Sequence, residues 1–239
     1  NAIKWIIGGT SDEESIKYTL VNEVILTNLI IRSVNDDNLI KDKNISYRIK
    51  DYNSSKYLEF NGENQFKNET GEVFIPVKLD FGKYLIEVID DSDSYEPIMD
   101  RLEVEIDGNN RYEFKDGEFY LELDVSFNLV RGSAKVISKK EVFNVKDGSY
   151  YYKFVNSSEV KLELFADEDI VVNGEVVYTK DSKLEDLVTN LDGEYIVDNL
   201  YLGKYYVVDE FGNKEYFEIK NKDIVDVVIV NELKKGSIN

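Results

Sequence analysis

Histidine and cysteine are both absent from this sequence. No Ser-His-Asp or Cys-His nucleophile can therefore be assembled within the chain. Zinc sites built on those ligands are excluded as well. Without cysteine there are no disulfides, so stability must come from packed cores or from another kind of crosslink. No apolar run is long enough to cross a bilayer, and no membrane insertion is expected of this segment. No secretory leader opens the chain, and it stops abruptly at "KKGSIN", as a piece cut from a longer protein would. Basic residues are also short: 29 Lys and Arg stand against 48 Asp and Glu, a formal charge of −19. That balance argues against nucleic acid and anionic membrane surfaces as partners. Nothing in the composition calls for a cofactor.

What the sequence does contain is alternation. In "RLEVEIDG" Leu102, Val104 and Ile106 fall on one side and Glu103 and Glu105 on the other. "FYLELDVSF" and "DVVIVNE" follow the same period of two, the mark of half-buried strands. The 17 Tyr and 12 Phe suit such strands. Turn signals recur at short intervals: "FNGEN", "NETGE", "IDGNN", "KDGE", "VKDGS", "VNGE", "LDGE" and "EFGNK". Helical periodicity is scarce; "DSKLEDLVTNL" alone has room for a short helical turn. Many short strands at this spacing imply an all-β sandwich or barrel. At 239 residues the chain is long enough for two such bodies.

The chain also repeats itself. Val-Asn-Glu occurs at 21–23 and again at 230–232, and Asn128 follows an alternating strand between them. From Asn22 to Asn128 is 106 residues, and from Asn128 to Asn231 is 103. The spacing predicts full units over 24–130 and 131–233, a linker at "NLVRGS", and a 234–239 segment leading into a further repeat. Residues 1–23, with the single Trp5, read either as the tail of a preceding unit or as an N-terminal hairpin of the first. Within the units one phrase occurs twice, "LDFGKYLIEVIDD" from 79 and "LYLGKYYVVDE" from 200. Its glycine suits a corner where the chain crosses between sheets.

The pieces "LELFADEDI" (162–170), "TNLDGEYIVDNL" (189–200) and "LGKYYVVDE" (202–210), with the closing "VVIVNE", resemble the SpaA-type pilin and collagen-adhesin B-type repeat domain of Gram-positive surface proteins. In 24–130 the resemblance rests on "GEVFIPVKLDFGKYLIEV" and the strand through Asn128. It implies tandem prealbumin- or Ig-like β-sandwich domains on an extracellular, cell-wall-attached protein. It further implies a structural stalk of an adhesin or pilin, whose partners are the neighbouring repeats of the same chain. The alternative is a module that itself binds a host matrix or cell-surface protein. An exposed apolar or aromatic patch on an open sheet face would favour the second, and uniformly charged faces the first.

The resemblance also raises an intramolecular isopeptide bond, in which a first-strand Lys joins a last-strand Asn with help from a buried carboxyl. The amine must be neutral, which burial favours. In the second unit Asn231 holds the acceptor place and Asp209 the carboxyl place. Ser138 stands where the lysine belongs. Lys139 completes the trio only if a one-residue bulge turns it inward. In the first unit the corresponding residues are Asn128, Val88 and Ser33 or Arg32, and arginine stays protonated. The expectation is that no side-chain amide forms in either unit, so that pulling on the termini peels strands apart.

Acidic clusters invite a calcium reading, with Asp90, Asp91 and Asp93 the best candidates. Their spacing does not match an EF-hand loop, and solvated loops in so acidic a chain would look alike. The expectation is no bound metal. With 48 acidic residues, chance carboxylate pairs carry no glycosidase argument, and no enzymatic activity is expected.

Overall fold

The computed structural model describes residues 26–233, together with a two-residue ladder of Ser11–Asp12 and Ser15–Ile16. Trp5, the triplet at 21–23 and the 234–239 segment lie outside the described residues. Every described element is a strand. The stretch with room for a helical turn forms a strand at Lys183–Val188, because Leu184 and Leu187 pack inward against neighbouring strands. The chain divides into two compact units, Asn1–Asn128 and Leu129–Asn239.

The main strands of the first unit are β1 (Thr27–Asn35), β2 (Ile45–Asp51), β3 (Glu72–Leu79), β4 (Gly82–Asp90), β5 (Arg101–Ile106) and β6 (Glu118–Leu129). One sheet runs β5-β4-β2, ending in the short strand Phe66–Lys67. The other places β1 between β6 and β3. Leu29, Ile31, Ile49, Ile75, Ile86 and Leu121 are buried between them. Their alternation along each strand is what the period-two pattern demands of a sandwich.

The second unit contains β7 (Arg131–Lys146), β8 (Ser149–Asn156), β9 (Lys161–Ala166), β10 (Lys183–Val188), β11 (Glu194–Tyr201), β12 (Gly203–Asp209), β13 (Lys214–Ile219) and β14 (Ile224–Asn231). One sheet has β7 flanked by β8 and β11 along one edge and β14 along the other. The second sheet runs β10-β9-β12-β13. Leu162, Leu164, Tyr205, Val207, Val227 and Ile229 fill the core.

Two topological features recur in both units. First, the opening and closing strands of each unit lie side by side and parallel. The register runs from Thr27↔Phe119 to Val34↔Ser126 in the first unit, and from Ser133↔Ile224 to Lys140↔Asn231 in the second. Second, the repeated glycine phrase crosses between sheets. β3 pairs with β1 in one sheet and β4 with β2 in the other; β11 and β12 repeat this with β7 and β9.

Turn chemistry follows the sequence closely. Asn61-Gly62, Asp116-Gly117, Asp147-Gly148 and Asn173-Gly174 each place two successive residues at positive φ. That is the type I′ geometry that matches strand twist in a tight hairpin. The linker read at "NLVRGS" is corrected: β6 ends at Leu129 and β7 begins at Arg131, leaving only Val130 outside a strand. Arg131 also lies over the Tyr201 ring, 3.8 Å from its centroid, and Nη1 donates to the Asn199 carbonyl at 3.2 Å.

Candidate functional site

The repeated phrase holds the same internal brace in both units. Tyr84 donates its hydroxyl to the Asp80 carbonyl at 3.0 Å, and Tyr205 donates to the Tyr201 carbonyl at 2.8 Å. Each tyrosine ties its strand to the residue four positions upstream, across the corner. Burial pushes the Tyr84 phenol up to about 12 and the Tyr205 phenol well above its ordinary value. Gly203 has φ +146, and a Cβ there would lie 2.4 Å from Ile170 Cδ1, so a side chain at this corner would strain the backbone and displace the end of Ile170.

Aligned on the two corner glycines, Val88 and Asp209 occupy the same place. Val88 is opposite Tyr47, and Asp209 is opposite Leu162. Across the core, Ser33 and Ser138 sit on the opening strands, both wholly buried. In the first unit Ser33 Oγ and the Tyr47 hydroxyl are 2.5 Å apart. Burial raises the Tyr47 phenol far above its usual range, against the lowering effect of the Ser33 hydroxyl. In the second unit Leu162 offers no such partner, and Ser138 Oγ has no hydrogen bond.

Asp209 is buried and fully engaged. Oδ1 accepts the N–H of Phe211 at 2.9 Å and of Asn213 at 2.8 Å, and Oδ2 accepts the Asn213 amide at 2.8 Å. The same amide nitrogen donates to Asn231 Oδ1 at 2.6 Å. Asp209 and Asn231 are thus brought together through Asn213, a residue the sequence reading missed; the "EFGN" turn was its only signal. The bulge required to turn Lys139 inward is not at Lys139. The ladder from β7 to β14 is continuous through Ser138↔Ile229, Lys139↔Val230 and Lys140↔Asn231, and the register shift on β7 lies at Gly132/Ala134. Ser138 therefore points into the core, and Lys139, the next residue, is half-buried on the other side of the strand. The parallel registers also move the acceptor place in the first unit. Counting from Ser33↔Val125 as from Ser138↔Ile229 reaches Phe127, which is buried, while Asn128 is exposed. Arg32 is held at the surface, 3.5 Å from both Glu122 and Asp124.

The acidic loop at 90–96 builds turns. Asp90 Oδ1 accepts the Ser92 N–H at 2.8 Å, and Asp42 Oδ2 accepts the Ser92 hydroxyl at 2.6 Å. Burial raises the Asp90 carboxyl above the ordinary range. Asp91 and Asp93 are exposed. Among the described residues, no three His, Cys, Asp or Glu side chains are grouped to hold a metal ion.

The described surface carries one feature of another kind. β7 and β8 extend as a hairpin closed by Asp147-Gly148. Cross-strand pairing puts Phe143 opposite Tyr152 and Val145 opposite Tyr150 on one face. Phe143 is 52% exposed, Tyr150 72% and Phe154 48%. Phe143 stacks on Tyr150 with ring centroids 5.4 Å apart, and meets Tyr152 edge-on at the same separation.

No protein-family model matches the chain, and no curated protein matches it. Solved structures do. The Bacillus anthracis TIE protein aligns over 94% of this chain at 18% identity, with a TM-score of 0.58. That likeness shows a shared fold. This chain spans 39% of that protein's length. GBS52, the minor pilin of Streptococcus agalactiae, aligns over 89% of this chain and 99% of its own at 11% identity and TM-score 0.32. BcpA, the major pilin subunit of Bacillus cereus, aligns over 87% of this chain and 99% of its own at 11% identity and TM-score 0.34.

Proposed function

We propose that the chain is a load-bearing stalk segment of a Gram-positive cell-surface protein of the adhesin or pilin kind. Its two sandwich units are read as successive repeats that hold an adhesive tip away from the cell wall. The sequence resemblance to SpaA-type repeats supports the location. The observation that carries the mechanical role is the parallel ladder between opening and closing strands, present in both units. In a parallel pair the incoming end of the first strand and the outgoing end of the last lie at opposite ends of the ladder. Tension between them pulls along the strands and loads all the ladder hydrogen bonds together. An antiparallel pair joined at its tip would open one rung at a time. The expectation of peeling, drawn from sequence alone, does not fit this register. The role is mechanical, with no catalytic step assigned to any residue.

Force spectroscopy tests the reading. The chain has no native cysteine, so engineered cysteine handles attach at defined points. Pulling through the termini should need a markedly higher force to open the second unit than pulling between positions 129 and 223, which lie at the same end of its ladder. Equal forces in the two directions would overturn the load-bearing role.

The exposed aromatic face of the β7–β8 hairpin favours a second role alongside the first, in which this unit itself grips a protein. Uniformly charged faces would have favoured the stalk alone.

A further inference from the structure

The β7–β8 hairpin has three properties that belong together. It ends in an edge: β8 pairs with β7 on one side, and no described strand pairs with its other side. An unpaired edge offers a row of backbone N–H and C=O groups to an incoming strand. Second, its two faces differ. Val145, Tyr150, Phe143, Tyr152 and Phe154 form a largely aromatic face, bounded by Glu141 opposite Phe154. The opposite face pairs Lys146 with Ser149, Asn144 with Tyr151, Val142 with Lys153 and Lys140 with Val155. Third, its charge runs against that of the molecule. Residues 139–156 carry four lysines and two acids in a chain with 48 acids and 29 bases.

We infer that the free edge of β8 is a docking site for an extended, acidic polypeptide strand whose side chains alternate between apolar and carboxylate. The argument is one of register and charge complementarity. A strand added to β8 continues its pleat, so successive side chains fall on opposite faces of the sheet. Those beside Tyr150, Tyr152 and Phe154 meet aromatic rings and must be apolar. Those beside Tyr151 and Lys153 join the face that carries Lys140, Lys146 and Lys153, where carboxylates are complementary. Backbone pairing supplies sequence-independent attachment, and the two faces select the period-two pattern. The strongly negative remainder of the chain does not cancel this local preference, because at physiological salt charges more than about 8 Å away are largely screened. The inference deepens the protein-gripping role assigned to this hairpin and does not depend on the stalk role.

A peptide copying residues 101–108 of this chain, Arg-Leu-Glu-Val-Glu-Ile-Asp-Gly, has the required alternation and serves as the probe. A counterpart with both glutamates replaced by lysine is the control. Titration of the isotope-labelled full chain should perturb the amide signals of residues 149–156 with the acidic peptide. The lysine counterpart should bind at least tenfold more weakly, and raising the salt from 50 to 500 mM, which shortens the screening length from about 14 Å to about 4 Å, should weaken the acidic peptide several-fold. The double variant Phe143→Ser/Tyr150→Ser should lose tenfold or more in affinity while its thermal melt stays near that of the parent, since both side chains are exposed. Equal binding of the two peptides, perturbation confined to other strands, or no binding at millimolar peptide would overturn the proposal. Salt-sensitive self-association of the chain in the absence of peptide, abolished by the same double variant, would reassign the edge to a second copy and overturn it as stated. A stalk that passes the force test but fails this one leaves the mechanical role standing and removes the docking site.

Discussion

In the first unit the Ser33 and Tyr47 hydroxyls meet 2.5 Å apart, with Val88 opposite Tyr47. In the second unit the same three places hold Ser138 with an unpartnered hydroxyl, Leu162, and Asp209 with both oxygens occupied. The corner, the bracing tyrosine and the parallel ladder are common to both. The polar contents of the core are not. One unit pairs two hydroxyls inside the sandwich. The other has a buried carboxylate that accepts hydrogen bonds from backbone N–H groups and the Asn213 amide, and leaves a serine hydroxyl without a partner. The frame therefore tolerates different polar solutions as long as the corner and ladder are kept.

The largest difference should appear in alkali. Free phenols lose their proton near pH 10. Burial raises both Tyr47 and Tyr84 above that, Tyr84 to about 12, while the second unit has Tyr205 raised and Leu162 in the place of Tyr47. A phenol whose folded pKa is raised favours the folded state fully below the unfolded pKa, and that contribution is lost as pH climbs through the folded value. The first unit should thus unfold at lower pH than the second, within the window above about 10. Amide exchange followed residue by residue against pH separates the two. Tyr47→Phe should move the first unit's alkaline midpoint upward, and coincident midpoints in the parent would remove the contrast.

Exchanging the carboxylate comes next. Asp209→Val gives the second unit the residue type of the first, strands the N–H groups of Phe211 and Asn213, and leaves the Asn213 amide with Asn231 as its remaining partner. A cost of about 2–3 kcal/mol is expected, confined to the second unit and visible in denaturant unfolding. A change under ~0.5 kcal/mol would mean that the 209–213 turn holds itself.

The two serines should respond with opposite signs. Ser33→Ala leaves the Tyr47 hydroxyl without its partner and should cost about 1 kcal/mol. Ser138→Ala removes a buried hydroxyl that has none, and should stabilise its unit by up to about 1 kcal/mol. Shifts of the same sign would show that the serines are equivalent after all.

The smallest expected effect is none. With Ser138 facing the core and Lys139 on the far side of an unbroken ladder, the intact mass of the purified chain should equal that of its sequence. A mass short by one ammonia, restored in Lys139→Ala, would show a covalent link in the second unit and end the view that both are held by pairing and packing alone.

The corner phrase, the strand periodicity and the Asn-Gly and Asp-Gly hairpins were legible because each depends on local chemistry: a glycine conformation or a period of two. What depended on distant pairing was not. No alternation in "LDVSFNL" says whether Phe127 or Asn128 will lie opposite the opening strand; only the register decides it. The polar link through Asn213 was hidden in a turn that reads as generic. The aromatic hairpin misleads most. "EVFNV" and "YYYKF" are as rich in apolar and aromatic residues as core strands, and sequence alone cannot tell that β7 and β8 run on as a hairpin whose rings stay exposed.

The parallel ladder of the first unit sets how much length the chain releases under tension. Ser33 and Val88 leave no amine or carboxyl to bridge its opening and closing strands, so once the Thr27–Val34 ladder slides, nothing covalent stops the roughly 100 residues between them from extending. At about 3.3 Å per residue that is some 30 nm of extra reach. A sudden pull on the unit would then be absorbed as length, and the strand pairing would re-form once the tension eased.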